Sequence, residues 1–596
     1  MNDKNLEPLT TSGESAGGGK QSRQNDYTDS EQAAKKHRRK SRADSFVVCG
    51  FCHQHTSPGI CTICGIETNL SPEDRRRRHP HPVRRIHSHL KARRGIVRDA
   101  LPEDHVHCRY CRQAIRRGIC TWCETDTEKP PETEQTERDL FLKIQHRFTP
   151  SLYKLASSVR LPLVRWDFWE QIVLGASLFK WIFLAGIIGI LSGTASAIFL
   201  LSLDLATSFR ILHPWLLWLL PASGLVVGWV YLKWGEKVAA GNNLILDHIH
   251  EPGGGISILM APLIYAATVL THLFGGSAGR EGTALQMGGA LAAWLSRRLR
   301  LRPEDVRLML MAGMSAGFGS VFGVPLAGAI FGMEVQSIGR IRYDGIIPCL
   351  FGSIIGDWVC RHWWRVEHGH YEVAAQGVSI TAPLILKLIV AGIVFGIVAL
   401  LFSELTHAIS EQAKRFIGWS PLRPAVGGLA IIALTYLTNG SDYLGLSLPL
   451  LSASVNGGEV VAYAFALKLL FTVITLGFGF KGGEVTPLFV IGATLGYSLG
   501  ILMGVPPSLL ASAGFVAVFA AAANTPVTCF VMGIELFGAE YALPYGIVCI
   551  LAYVFSGHRG IYLAQRIEVP KSKSLRHRAV STLREVRAVE THRPAK

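Results

Sequence analysis

The chain has few charged residues for its length, and long stretches of it have almost none. Of its 596 residues, 17% are charged and 49% are hydrophobic, a composition that excludes an ordinary soluble globular protein. Residues 1 to about 160 and about the last 30 residues are polar, whereas nearly all long hydrophobic runs lie between them. This distribution predicts a polytopic membrane protein, with roughly ten to eighteen helical segments if broken helices are counted.

The chain also lacks an apolar segment at its start. Its first twenty residues have no hydrophobic core of the kind that a secretory signal peptide needs. Residues 1–44 have too few apolar residues to fold and predict a disordered, basic N-terminus. Residues 566–596 form a basic tail that we expect to be too short for a folded regulatory domain. Because basic segments stay inside, we expect a multi-pass protein of the cell (inner) membrane with both termini cytoplasmic.

Eight of the twelve cysteines form two copies of the spacing C-x2-C-x8-C-x2-C. Two such cysteine pairs complete a tetrahedral four-thiolate shell, so residues 45–125 predict two zinc-ribbon-like modules, each with one structural zinc ion. Disulfides are disfavoured in a cytoplasmic domain, and an iron–sulfur or redox site is the other alternative. The predicted zinc ligands are Cys49, Cys52, Cys61, Cys64, Cys108, Cys111, Cys120 and Cys123.

A basic stretch, Arg75 to Arg94, separates the two cysteine modules. Anionic lipid is a better partner for it than nucleic acid, because no interleaved aromatic residues offer bases a stacking surface. Residues 126–164 begin with an acidic, proline-containing run and predict a linker to the membrane part.

The Gly-rich stretch from Gly275 to Gly289 places Arg280 and Glu281 inside an apolar span. A charge in a membrane segment is costly without a partner, an ion or water, so these residues are candidates for function. The sequence after Glu281 predicts a helix, whose N-terminus could bind a small anion through its free N–H groups. Glu281 would then compete with that anion. The alternative is a glutamate that only caps the helix.

A second copy of this motif lies 203 residues (482 minus 279) further on. Gly279 to Thr283, GREGT, reappears as Gly482 to Thr486, GGEVT, an alignment that pairs the two glutamates. Gly323 to Val335 and Asn524 to Leu536 also match, each with a proline followed by a glutamate nine residues later. Two related halves with helices broken at Gly-rich points are typical of transporters that bind substrate near the bilayer midplane.

These motifs resemble those of the CLC family of chloride channels and anion/proton antiporters. The resemblance covers residues 165–565 and implies an all-α, polytopic CLC-type inverted repeat with broken helices, in halves of about 165–360 and 380–565, and a homodimer. In that family GREG supplies a gating glutamate, which is Glu281 here. A tyrosine whose hydroxyl faces the anion matches Tyr562.

Departures from the common family pattern resemble its fluoride/proton antiporter branch. The first motif, usually Gly-Ser-Gly-Ile-Pro, reads GNNLI from Gly241, and the third, usually Gly-x-Phe-x-Pro, reads GEVTP from Gly483. Val335 stands where chloride/proton exchangers commonly have an internal proton-transfer glutamate. Ile245 and His248 stand where some fluoride exchangers have phenylalanines.

The resemblance implies a set of site residues in addition to the gate. Glu484 is a second intramembrane carboxylate, which could orient Thr486 or carry a proton, or could be a structural helix cap. Its only evident basic neighbour in the sequence is Lys481. The anion contacts expected from the matched motifs are Gly241, Asn242, Gly279, Arg280, Gly282, Val485, Thr486 and Tyr562.

The side chains of Asn242 and Thr486 favour fluoride as the anion. Fluoride holds its hydration water tightly and needs strong hydrogen-bond donors in its place, and Asn242 and Thr486 add such donors. We therefore expect a proton-coupled fluoride antiporter and no enzyme. One alternative is a CLC chloride channel or chloride/proton exchanger. Another is a zinc-dependent sensor or nucleic-acid-binding regulator that uses its membrane part as an anchor.

Each four-cysteine set should bind one zinc ion and should support the folding of residues 45–125 alone. Metal analysis of that isolated fragment should give about two ions per chain, since four ligands complete one tetrahedral site. A chain that lacks residues 1–140 should still transport anions. A fragment that folds without metal would contradict the zinc assignment.

Overall fold

The computed structural model describes residues 168–251, 255–369, 371, 373, 378–572 and 582–591, together with four short strands nearer the N-terminus. Strand β1 (Val47–Val48) pairs antiparallel with β2 (His55–Thr56), and β3 (His105–His107) pairs antiparallel with β4 (Ala114–Arg116). The two hairpins take equivalent places in the two cysteine repeats. The eight predicted zinc ligands, residues 1–44 and the linker 126–164 lie outside the described residues.

The rest of the described chain is almost entirely helical. The first set of eight helices ends in a π-helical turn, Val359–Trp363, and comprises α1 Phe168–Leu212, α2 Leu220–Trp234, α3 Asn242–His250, α4 Met260–Leu273, α5 Glu281–Arg298, α6 Pro303–Phe322, α7 Pro325–Glu334 and α8 Ile346–Trp358. The second set comprises α9 Ala382–Phe416, α10 Leu422–Thr438, α11 Leu448–Asn456, α12 Ala464–Gly477, α13 Val485–Met503, α14 Pro507–Ala523, α15 Pro526–Phe537 and α16 Ala542–Phe555. A terminal helix, α17 (Leu583–Thr591), follows.

The two sets of helices match one another in order, and some of the pairs are identical in length. Helices α3 and α11 have nine residues each, and α4 and α12 have fourteen each. Within the described residues, four stretches are long and apolar enough to cross a membrane: Gln171–Leu212, Pro214–Trp234, Ala382–Phe416 and Val485–Met503. Other helices are too short to span a bilayer alone, as expected for broken helices buried within protein. The predicted all-α polytopic membrane fold is confirmed.

Helix α14 forms the centre of the second half. Every one of its residues from Ser508 to Ala523 is buried, as expected for a helix that is apolar on all sides. It packs most closely on α13, where a Cβ added to Gly492 would lie only 2.1 Å from the carbonyl oxygen of Gly514. In the first half, Gly288 of α5 meets Gly313 of α6 in the same way, also at 2.1 Å. Glycine therefore permits the same close helix contact in both halves.

Two glutamates tie the halves together by capping each other's helices. Glu334, at the end of α7, accepts hydrogen bonds from Val527 N (3.1 Å) and Thr528 N (2.8 Å) at the start of α15. Glu535, near the end of α15, accepts from Leu326 N (2.9 Å) and Ala327 N (2.8 Å) at the start of α7. Each carboxylate satisfies N–H groups that its partner helix leaves free and complements the positive end of that helix.

The chain end folds back onto both halves. Strand β5 (Ser337–Ile338) pairs in parallel with β6 (Arg566–Ile567). Just beyond β6, the carboxylate of Glu568 accepts hydrogen bonds from Arg340 (3.0 Å), Arg342 (3.1 Å) and Ser337 (3.1 Å). Helix α17 lies against α9, where Arg587 bonds to Glu404 at 2.8 Å and Glu411 at 3.2 Å. These contacts fasten the described part of the tail to both helix sets.

The contact between β5 and the chain end should weaken in acid. Partial burial raises the pKa of Glu568, but the Arg340 and Ser337 hydrogen bonds and the Arg342 charge outweigh it, so the pKa lies below its ordinary value of 4.5. A lowered folded-state pKa contributes stability above the unfolded pKa and loses it as pH falls through the folded pKa.

We therefore expect the melting temperature in detergent to fall between pH 6 and pH 3 by a smaller amount in Glu568→Gln than in the wild type. The exposed Glu459→Gln variant serves as the control. An equal pH dependence in Glu568→Gln and the wild type would show that this carboxylate does not stabilise the fold.

Candidate anion site

The N-termini of α5 and α13 meet end to end in the buried interior of the helical part. Just before these helices, Gly279 and Gly483 form an antiparallel bridge in which Gly279 N donates to Gly483 O at 2.6 Å and Gly483 N donates to Gly279 O at 2.7 Å. A Cβ on Gly279 would lie 2.9 Å from Pro487 and 3.0 Å from Thr486 N. Only glycine therefore allows the two helix ends to approach this closely.

Glu281, the first residue of α5, extends its carboxylate to the other helix. It accepts hydrogen bonds from Thr486 Oγ1 at 2.5 Å and from Thr486 N at 3.0 Å, in the first turn of α13. It also accepts from Arg280 N at 3.1 Å and lies 3.5 Å from the Arg280 guanidinium. Glu281 is fully buried. Its carboxylate therefore takes the place at a helix N-terminus where an anion would bind.

The structure corrects the register between the halves by one residue. The 203-residue offset pairs Glu281 with Glu484, whereas the Gly279–Gly483 bridge and the starts of α5 and α13 are 204 residues apart. Val485 is therefore the counterpart of Glu281. Glu484 occupies the N-cap position of α13, the place that Arg280 has in α5. The glycine pattern alone cannot detect this shift.

The structure does not support a role for Glu484 in orienting Thr486. The hydroxyl of Thr486 donates to Glu281, and the side chain of Glu484 has no hydrogen bond or ion pair among the residues that the structure describes. The ammonium of Lys481 lies over the ring of Tyr231, 4.5 Å from its centroid. Glu484 is thus a carboxylate without a protein partner in the described region, a state that is costly unless an ion, water or a proton compensates it.

Two further predicted residues present unused polar atoms. The hydroxyl of Tyr562, a residue only 1% exposed, has no hydrogen-bond partner in the described structure, and neither has the side-chain oxygen of Asn242. Tyr562 interacts electrostatically with both Glu281 and Glu484. Asn242 lies beside Gly282, where an added Cβ would be 3.3 Å from Nδ2. Buried polar groups normally have partners, so these atoms mark a place for a small polar ligand or water.

Gly241 shapes the loop that presents Asn242. Its φ of +59° is left-handed, a conformation that glycine adopts without strain. The residue immediately precedes α3, so the predicted first motif becomes a sharp turn into a helix N-terminus. The predicted contacts Gly241, Asn242, Gly279, Arg280, Gly282, Thr486 and Tyr562 thus lie on or beside three helix starts and one loop, with Val485 as the first residue of α13.

A cavity of about 20 Å³ borders the carboxylate of Glu281. That volume suffices for one water or one small ion. Its lining is largely apolar and includes three phenylalanines: Phe489 stacks on Phe515 with centroids 3.9 Å apart, and the ring centroid of Phe322 lies 5.1 Å from that of Phe489. Sequence reasoning missed these phenylalanines, because they come from three helices and have no common motif.

Ile245 and His248, at the positions where some fluoride exchangers have phenylalanines, make other contacts. Ile245 is fully buried and packs against Gly289. His248 bonds through Nδ1 to Leu244 O at 2.7 Å within its own helix.

Gln565 holds the Tyr562 loop in place. Its side-chain Nε2 donates to Val335 O at 2.7 Å and to Ala523 O at 2.8 Å, while its Oε1 accepts from Asn524 at 3.1 Å. Its backbone N donates to Tyr562 O at 3.2 Å. The side chain is completely buried. Gln565 thereby joins the end of α7, the end of α14 and the Tyr562 loop.

These features together indicate a class of protein. Paired broken helices, helix N-termini directed at one central point and buried unpartnered polar atoms are typical of a transporter or channel for a small ion.

Comparison with known proteins gives the family. Residues 223–557 match the family described as voltage-gated chloride channel, and the chain belongs to that family. It is similar to the chloride/fluoride channel protein of Pseudomonas syringae pv. tomato, with 51% identity over 405 residues that cover 67% of this chain and 89% of the relative. It is less similar to the H(+)/Cl(-) exchange transporter ClcA of Yersinia pestis, with 28% identity over 305 residues covering 48% of this chain and 63% of that one.

A solved structure has the same fold. The crystal structure of a CLC-type fluoride/proton antiporter superposes with a TM-score of 0.63 at 35% identity, covering 65% of this chain and 98% of that one. The resemblance to CLC proteins and the CLC fold predicted from the sequence motifs are therefore confirmed.

Gln565→Ala should destabilise the protein and disturb the Tyr562 loop. The change removes the Gln565 donor from the carbonyl oxygens of Val335 and Ala523 and one of the two acceptors of the Asn524 amide. Each buried group left unsatisfied costs about 1–3 kcal/mol. A lower melting temperature in detergent and slower anion flux are expected. Gln171→Ala, at an exposed position, is the matched control. If Gln565→Ala melts and transports like this control, Gln565 does not position the loop.

Proposed function

We propose that the chain is a proton-coupled fluoride exporter that works as a CLC-type antiporter. The observation that carries this proposal is the position of the Glu281 carboxylate, which is bonded to Thr486 at the N-terminus of α13. A carboxylate and a small anion compete for the same N–H and O–H donors. Only one of them can accept from Thr486 at a time.

Proton coupling follows from this competition. When an anion approaches, the like charge disfavours the ionised form of Glu281 and favours uptake of a proton. Protonated Glu281 no longer needs the donors of α13, and the anion takes its place. When the anion leaves, Glu281 loses its proton and returns to Thr486. One cycle therefore exchanges an anion for a proton.

Fluoride is the anion that the donors suit best. Thr486 offers a hydroxyl and a backbone N–H, Asn242 offers an amide, and Tyr562 offers a hydroxyl without a partner in the described structure. Such donors can replace the tightly held water of fluoride. The names of the Pseudomonas relative and of the structurally similar antiporter both include fluoride, which supports this choice.

The second candidate is a CLC chloride channel or chloride/proton exchanger. Two observations favour it: one relative is named as a channel and another as a chloride exchanger. In this alternative the same residues would conduct or exchange chloride, and Glu281 would act as the gate alone.

We also propose the partners of the chain and its location in the cell. The substrates are a small inorganic anion and protons, and the chain works in the cell (inner) membrane as a homodimer with both termini cytoplasmic. Its cysteine modules bind two structural zinc ions. Nucleic acid is not among the proposed partners, and no enzymatic reaction is proposed.

Glu281→Gln should abolish proton coupling, because an amide cannot exchange a proton. Proteoliposomes with fluoride-, chloride- and pH-selective electrodes should show fluoride efflux faster than chloride efflux for the wild type, with protons moving in the opposite direction. In Glu281→Gln the proton movement should disappear, and anion flux should change.

Glu459→Gln, a matched change at an exposed glutamate, should keep the wild-type coupling. Proton-coupled exchange that persists in Glu281→Gln would remove Glu281 from the mechanism. Chloride efflux as fast as that of fluoride would favour the second candidate.

A further inference from the structure

A lysine is completely buried in the second half of the molecule. Lys468, in the first turns of α12, is 0% exposed. Its ammonium donates to Gly445 O (2.8 Å), Ser447 Oγ (2.8 Å), Ser277 Oγ (2.9 Å) and Tyr443 O (3.1 Å). All four acceptors are uncharged, and they exceed the three hydrogens of the ammonium. The dipoles of these acceptors therefore stabilise the positive charge of Lys468, and none of them neutralises it.

The loop that surrounds this lysine is the counterpart of the loop that presents Asn242. Gly445 lies 204 residues after Gly241, and their φ values are +60° and +59°. Each glycine stands shortly before a nine-residue helix, α11 in one case and α3 in the other. The two halves thus repeat this loop, and in the second half Lys468 places a cation against it. Ile264 is the counterpart of Lys468 in the first half, since 468 minus 204 is 264.

A second cation borders the same loop. Arg210, near the end of α1, has Nη2 only 3.4 Å from the place that a Cβ on Gly445 would take, and its Cδ lies 3.7 Å from the corresponding place on Gly275. The charge of Arg210 acts on both Lys468 and the buried His272. The Nε–H of Arg210 is buried and donates to no acceptor in the described structure.

The described part of the chain offers this pair of neighbouring cations no counter-charge. Among the described residues, no carboxylate forms an ion pair with Arg210 or Lys468. Burial and mutual repulsion both disfavour two positive charges in one place, and an anion removes both penalties. Arg210 has a free donor to contact that anion, whereas the ammonium of Lys468 has none left and acts through its charge.

We propose that Arg210 and the Gly445 loop form a second binding site for a small inorganic anion, with Lys468 as its buried counter-charge. This inference rests on the proposed transport function. The site is linked to the gate through Ser277, which bonds to Lys468 and lies four residues before Glu281. The anion would bind here on the side of the membrane where α1 ends, before it reaches the donors of α13.

Arg210→Gln tests the site in the full-length protein, because this half-buried residue lies near a helix end. In proteoliposomes, the half-saturating fluoride concentration should rise roughly tenfold on one side of the membrane, as expected for the loss of about 1.4 kcal/mol of binding free energy. The value on the opposite side and the maximal rate should stay near those of the wild type. Arg210→Lys should recover part of the affinity.

A binding measurement gives a second readout that does not depend on transport. Fluoride should raise the melting temperature of the wild type in detergent, and Arg210→Gln should require a higher fluoride concentration for the same rise. Lys468→Met, which removes the charge and keeps most of the volume, should weaken this response further. Arg365→Gln, at an exposed arginine, is the control and should behave like the wild type.

The outcomes separate this site from the proposed function. Equal half-saturation and equal melting responses for Arg210→Gln and the wild type would overturn the second site while transport remains intact. A side-specific change that Arg365→Gln reproduces would also overturn it, because surface charge alone would then explain the effect. A wild type that moves neither fluoride nor chloride would overturn the proposed function, and the melting response would still decide the site.

Discussion

The fold depends on two helix N-termini that face each other. Helices α5 and α13 both direct free N–H groups and the positive ends of their dipoles at one point, and the Gly279–Gly483 bridge holds these ends together. Two like ends cannot stay this close without negative charge between them. Glu281 supplies that charge, and an anion can supply it in its place. In the proposed function, this need for a negative charge lets an anion and the Glu281 carboxylate exchange places between the two helix ends.

Much of the architecture could be predicted from the sequence. The repeated Gly-rich and Pro-to-Glu segments revealed two halves, and an arginine and a glutamate in an apolar span indicated the central site. These signals are local in sequence, because a tight turn needs glycine and a buried charge is rare in a membrane segment. The contact between Glu281 and Thr486 could not be predicted, since it crosses from one half to the other over 205 residues.

Other parts of the site have no local signal. Phe322, Phe489 and Phe515 are ordinary apolar residues in their own helices, and only packing brings them to one cavity beside Glu281. Gln565 has no motif, yet its amide joins three segments. The one-residue error in register arose because repeated letters align at an offset of 203, whereas hydrogen bonding between the halves obeys the backbone geometry at 204.

The caps that α7 and α15 exchange can form only after both helices have been synthesised. The N–H groups of Leu326 and Ala327 have their acceptor in Glu535, which the ribosome adds more than two hundred residues later. Until then, the start of α7 has no carboxylate to bind. The first half therefore gains the cap of α7 only after the second half has been synthesised. In return, Glu334 of the first half caps the start of α15 in the second.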